Sequence, residues 1–157
     1  MAVFIARALA GSDGAVPAGP DIPSFADVPN TGYGADGKQP YWAYKYIEYL
    51  KANNVVNGYA DGYHPTDKVN RGQMSAFVAR SIVTPLGDAG LASYTPPALP
   101  TFTDVPTTFA YYKCIEYIAD PARDITHGYG DGLYHPERIC SRAMMAVYVQ
   151  RAFELPL

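Results

Sequence analysis

Apolar residues recur at helical spacing in five stretches of this chain, with long segments of no period between them. Ala43, Ile47 and Leu50 share one face, as do Tyr111, Ile115 and Ile118. These spacings predict helices over about Trp42–Ala52 and Phe109–Ala119. Met74, Phe77, Val78 and Ile82 stripe a helix over about Arg71–Val83. Met145, Tyr148, Val149 and Phe153 do the same over about Arg142–Phe153. Asn70 and Ser141 stand at the starts of these two, where a side-chain oxygen can accept a first-turn N–H. Met1–Ala10 is the fifth apolar stretch. Gly11–Ser24 and Thr84–Thr101 are rich in Gly, Pro, Ala and Ser and lack a helical period, so they read as surface linkers. Strand signals are weak, with at most a short pairing near the Gly-Tyr-x-Asp-Gly segments. The expected class is all-α with long ordered loops.

The pattern repeats. Phe25-Ala26-Asp27-Val28-Pro29 returns as Phe102-Thr103-Asp104-Val105-Pro106, and Ile47-Glu48-Tyr49 as Ile115-Glu116-Tyr117. Gly58-Tyr59-Ala60-Asp61-Gly62 returns as Gly128-Tyr129-Gly130-Asp131-Gly132, and Arg71–Arg80 as Arg142–Arg151. Met1–Arg7 copies the same last block. The chain therefore reads as the closing helix of one repeat (1–10), a linker (11–24), a whole repeat (25–83), a second linker (84–101) and a second whole repeat (102–157). Units of this length bury a core by stacking on one another.

Composition narrows the functions. With 48% hydrophobic residues the chain can build a core, and a net charge of −3 gives no reason to expect nucleic acid as a partner. No stretch is long and apolar enough to span a bilayer. Met1–Ala10 has an Ala-Leu-Ala ending, but it carries Arg7 centrally and lacks a basic lead. It reads as a repeat helix, and an export signal is expected upstream if there is one. The 14 tyrosines offer apolar faces with polar tips, suited to sugars, to protein partners or to helix packing. Cys114 and Cys140 fit either a disulfide pinning helix to turn, as in exported proteins, or two small buried hydrophobes. Their spacing makes no zinc site.

Few residues point to chemistry. Glu48 and Glu116 occupy one position in two copies of a unit, which argues for structure and against an acid–base pair. Asp61 and Asp131 are either ligand or calcium carboxylates or the shapers of Asp-Gly turns, and no EF-hand spacing is present. His64, His127 and His135 lack a metal-ligand pattern, and no cofactor motif stands out. The expectation is no enzyme activity, no cofactor and no metal. Arg71 and Arg142, each at a helix start, are ligand clamps or structural partners, and one fork of five donors can serve as both.

Taken in order, Phe-x-Asp-Val-Pro, Tyr-Ile-Glu-Tyr-Leu, Gly-Tyr-x-Asp-Gly and the Arg-x-x-Met-x-x-Phe-x-x-Arg helix resemble the S-layer homology (SLH) domain. The resemblance implies helix–loop–helix repeats packed as a pseudo-threefold bundle at the bacterial cell surface. It implies grooves between repeats that bind secondary cell-wall polysaccharide, commonly pyruvylated, or peptidoglycan. The family's groove residues map to Asp27, Trp42, Gly58 and Arg71, and to Asp104, Gly128 and Arg142. An anionic sugar suits a fixed guanidinium at a helix N-terminus, and Trp42 can stack on a sugar face. The last repeat departs at Met144, where Gln73 stands in the middle one, and it has no Trp. A self-assembly module is the alternative, with a neighbouring subunit supplying the missing half-repeat. A catalytic domain outside this chain is a third reading, in which these repeats remain the anchor.

Overall fold

The computed structural model describes residues 1–32 and 37–156. Among them are six helices and no strands: α1 (Ala2–Ala10), α2 (Tyr44–Ala52), α3 (Arg71–Ile82), α4 (Asp88–Ser93), α5 (Tyr112–Ala119) and α6 (Arg142–Ala152). The protein is all-α, as its periodicity predicts. Two compact units divide at Asp67/Lys68. In the first, α1 packs on α2; in the second, α3 packs chiefly on α5 and also touches α4 and α6. Each main pair therefore joins the closing helix of one repeat to the opening helix of the next.

The closing helices begin where their caps place them. Asn70 Oδ1 accepts the N–H of Gln73 at 2.8 Å, and Gln73 Oε1 returns the bond to the N–H of Asn70 at 3.0 Å, a full capping box. Ser141 Oγ accepts from Met144 N–H at 3.2 Å. Met144 has no side-chain acceptor, so nothing there can return the bond. The opening helices start later than their periodicity suggests. Trp42 and Phe109 lie outside them, because Tyr44 and Tyr112 N–H bond three residues back, to Tyr41 and Phe109 carbonyls. Ala43 and Tyr111, just before the helices, have ψ near zero and close these tight turns.

Helix α3 is buried around most of its girth, not only on the predicted stripe. Met74 and Val78 are fully enclosed, Phe77 and Ile82 only half, while Gly72, Ser75, Ala76, Ala79 and Ser81 are buried. The two serines satisfy their hydroxyls on carbonyls three residues back, Gly72 at 2.6 Å and Val78 at 2.8 Å. Small residues are needed here. A Cβ on Gly72 would stand 2.9 Å from a ring carbon of Tyr111.

The second linker is not wholly irregular. Asp88–Ser93 forms the short α4, which the sequence pattern missed because one turn and a half is too short to show a period. Arg80 bonds Asp88 at 2.7 Å, and Leu91 is buried. Gly90 has the carbonyl of Pro85 where a Cβ would go. Both cysteines are free thiols, so the disulfide is not formed. Cys114 is enclosed on α5, where burial pushes its pKa up to about 11.

Two buried carboxylates tie the linkers down. Glu48 accepts the N–H and hydroxyl of Ser24 at 2.8 and 2.6 Å. Glu116 accepts those of Thr101 at 2.9 and 2.6 Å. Each fixes the residue just before the Phe-x-Asp-Val-Pro turn. The loops that follow the opening helices are also locked. Tyr59 pairs with Gly62 in an isolated bridge. His64 and His135 take left-handed backbone, with φ of 59° and 55°, and their rings bond Asp61 at 2.9 Å and Asp131 at 2.7 Å.

Replacing Glu116 with Ala removes both carboxylate bonds to the exposed Thr101 and should cost about 2–3 kcal/mol, read as a lower urea midpoint with an unchanged slope. A loss below about 0.5 kcal/mol would show that the anchor is dispensable. The bond to Asp61 raises the pKa of His64 above the usual histidine value, with smaller help from Asp67 and against slight desolvation. A raised folded pKa means that the loop contact is full below about pH 6.5 and is lost as pH climbs through the raised value. An NMR titration of the His64 ring should show that high midpoint, and Asp61→Asn should bring it down.

Candidate functional site

The opening-motif carboxylates face their own repeat's loop. Asp27 accepts from Tyr63 N–H at 2.9 Å and His64 N–H at 2.7 Å. Asp104 accepts from Tyr134 and His135 N–H at the same two distances. Partial burial works against the charge on Asp27, but the Tyr63 and His64 N–H bonds outweigh it and lower the pKa. The glycines serve the same joint. A Cβ on Gly58, whose φ is +75°, would overlap the Phe25 ring at 2.2 Å, and one on Gly128 would meet Phe102 at 2.8 Å. Trp42 projects from the turn before α2 and is 69% exposed, with its ring beside Tyr41.

Arg71 lies in the second unit and is spent on the last repeat, not on the loop of its own. Its Nε donates to the Tyr134 carbonyl at 2.8 Å and its Nη2 to the His127 carbonyl at 3.0 Å. The guanidinium stands 4.2 Å from the Tyr134 ring centre, 4.8 Å from Tyr129 and 5.8 Å from Tyr148. It is buried, and no carboxylate among the described residues pairs with it. Carbonyls and aromatic faces replace the water it loses. Tyr134 is fully enclosed, and burial first, then the neighbouring Tyr148, keeps its hydroxyl neutral well past the usual range.

A cation that repeat matching did not single out completes this cluster. Arg138 is exposed, and its guanidinium lies 4.8 Å from the same Tyr129 ring that Arg71 approaches at 4.8 Å. Nearby carboxylates are engaged elsewhere: Asp131 with His135, Glu137 with the Asn70 amide at 2.8 Å, and Asp104 with the loop backbone. Arg138 lines an open cavity of about 530 Å³ together with Asp104, His135, Pro136 and Glu137. The available signal was a break in the repeat, since Arg138 takes the place of Asp67. In the middle repeat that Asp stands 3.4 Å from Nδ1 of His64.

Of the sequence-predicted residues, the second unit therefore gathers Arg71, Asp104 and Gly128 about one loop. Asp27 and Gly58 build the equivalent loop of the first unit. Arg142 remains exposed at the start of α6, without a hydrogen bond or ion pair to any described residue. The cluster can hold an anion against two guanidinia and an aromatic edge. It offers no nucleophile with a base, and the described residues contain no group able to hold a metal ion.

No curated protein gives a significant match to the chain. The family model of the S-layer homology domain matches residues 24–75. That span runs from the Glu48-anchored Ser24, through the Phe25–Pro29 turn, α2 and the Asp27-locked loop, to the capped start of α3. Residues 24–75 are thus similar to an S-layer homology domain.

Proposed function

We propose that this chain is a non-catalytic anchor holding an anionic secondary cell-wall polysaccharide, such as one carrying pyruvylated sugar, in the inter-repeat groove between α3 and the loop 128–138. SLH domains are cell-surface anchoring modules that generally bind cell-wall polymers, so association with the cell surface follows from the family. The choice of polymer, the groove and the pseudo-threefold packing of repeats belong to the proposal. Among the described residues, no helix is long and apolar enough to cross a membrane.

The observation that carries the reading is that Arg71 and Arg138 both approach the Tyr129 ring, and neither pairs with a carboxylate among the described residues. Two like charges near one ring repel each other, and an anion placed between their free donors relieves that repulsion. Among the described residues, Arg71 Nη1 donates no hydrogen bond, so it keeps donors for a ligand. Arg138 brings a full fork from the solvent side. The first unit, taken by itself, exposes Trp42 and Tyr59 as faces on which a sugar can stack.

The test is co-sedimentation with purified bacterial cell walls, before and after mild acid strips the non-peptidoglycan polymer. Binding should disappear with the polymer; binding that survives would move the ligand to peptidoglycan and overturn the proposal. Arg138→Ala should weaken binding about tenfold or more while leaving the melting temperature unchanged, because the side chain is exposed. Arg71→Lys keeps a charge but loses the planar fork, and should lower stability by about 1–3 kcal/mol as well as binding. Wild-type affinity in Arg138→Ala would remove the site from this groove.

A further inference from the structure

Departures from the repeat gather at one point of the second unit. Matching the two loops sets Asp124 against Asn54, Thr126 against Val56 and His127 against Asn57, and matching the closing helices sets Tyr148 against Phe77. Asn54 and Asp124 share left-handed backbone, with φ of 60° and 51°, so the loop keeps its course while its side chains change. Each change brings in a group that ionises or a hydroxyl.

All four new groups are in contact. Helix α6 holds residues 125–127 by two side chains one turn apart. The Tyr148 hydroxyl accepts from Thr126 Oγ1 at 2.8 Å, and both residues are buried. Arg151 Nη1 donates to the Ile125 carbonyl at 3.3 Å and to His127 Nδ1 at 3.2 Å. On its other side the His127 ring meets Asp124, Nε2 to Oδ1 at 2.6 Å. The His127 carbonyl accepts from Arg71 Nη2 at 3.0 Å. His127 is therefore the point where α6, its own loop and the start of α3 meet.

This geometry fits one charge state of the ring. Nε2, against a carboxylate, carries the hydrogen, so Nδ1 keeps the lone pair that Arg151 needs. The side chain is 55% exposed and open to a second proton. Histidine is the side chain that changes charge near neutral pH. A second proton lands on Nδ1, and two cationic donors then face each other across 3.2 Å. The charged groups that meet His127 among the described residues are Asp124 from its loop, Arg151 from α6 and, at its carbonyl, Arg71 from α3. Protonation strengthens the first contact and breaks the second.

We propose that His127 is a proton-operated latch on the cage of Arg71. Neutral, it ties α6 to the loop. Protonated, it releases Arg151, residues 125–127 shift towards Asp124, and the bond from Arg71 Nη2 to the His127 carbonyl opens. The Arg71 fork then has a second free nitrogen beside Nη1, and the groove gains a positive charge, so an anion is held more tightly in mild acid. This last step rests on the wall-polymer reading, whereas the latch itself does not.

The test follows the His127 ring signals and the Nε signals of Arg71 and Arg151 by NMR in the labelled full chain, from about pH 7.5 to about pH 5. Both arginines should shift with the midpoint of the His127 ring. His127→Gln, its fold checked by circular dichroism, keeps an acceptor for Arg151 but does not titrate, and in it both arginines should stay still. An Arg71 signal that holds while His127 titrates overturns the latch, as does a ring that keeps one charge across the range. An Arg71 shift that persists in His127→Gln assigns the movement to another group, such as His135 on Asp131, and also overturns it. Purified wall polymer separates the two readings. Its affinity should rise at least about fivefold from the higher pH to the lower in the unaltered chain and not in His127→Gln. An affinity that stays level or falls overturns the regulatory step. No polymer binding at either pH would remove the wall-polymer reading and leave the latch to stand or fall on the Arg71 shift.

Discussion

A buried guanidinium without a carboxylate is the contact on which the second unit depends. Arg71 leaves water at the start of α3 and gives two N–H groups to carbonyls of the last repeat. Stripping water from a cation costs several kcal/mol unless every lost bond is replaced. Here the replacement is divided among two carbonyl oxygens and three tyrosine faces. Backbone carbonyls cannot be protonated away, so this joint is less sensitive to acid than an ion pair would be. It also fixes the loop from His127 to Tyr134 against α3 and so sets the position of Tyr129, the ring that Arg138 then shares.

The unit of sequence and the unit of packing are out of phase. A repeat read along the chain opens with Phe-x-Asp-Val-Pro and closes with the Arg-led helix. In space, the closing helix belongs to the next repeat's opening helix, as α1 does to α2 and α3 to α5. The linkers between them must then be ordered, and Glu48 and Glu116 provide that order by gripping Ser24 and Thr101. A carboxylate that accepts both a backbone N–H and a hydroxyl from one residue fixes the chain's direction as well as its place. The two glutamates repeat because the joint repeats.

Much of this was legible in the residues. Asn70 and Ser141 mark helix starts because a side-chain acceptor at that point has one geometric use, and both caps form. The loops follow from Gly and Asp-Gly, and the all-α class from periodicity. What was hidden depends on partners distant in sequence. The stripe Met74, Phe77, Val78 and Ile82 describes a helix with one buried face, yet α3 meets three other helices and buries small residues all round. A helix of six residues such as α4 carries too little pattern to separate it from a linker. The resemblance places Asp27, Asp104 and Arg71 in grooves between repeats; what the sequence does not show is that the carboxylates also accept loop N–H groups, nor which loop the Arg71 side chain enters.

Arg71, Arg142 and Arg138 show why a motif position is not yet a site. Arg71 and Arg142 hold the same place in the repeat and each opens a helix behind a side-chain cap, Asn70 in one and Ser141 in the other. One is caged by the loop of the last repeat, and the other has an exposed side chain bonded to no described residue. Arg138 has no counterpart cation in the middle repeat, where Asp67 contacts His64 instead. Replacing that Asp with Arg removes a carboxylate from the loop and adds a cation beside Tyr129, a change of two charges at one point. Within a repeat array the shared residues build the joints. The residue that breaks the repeat, Arg138, changes what the loop can bind without loosening the bonds that hold it.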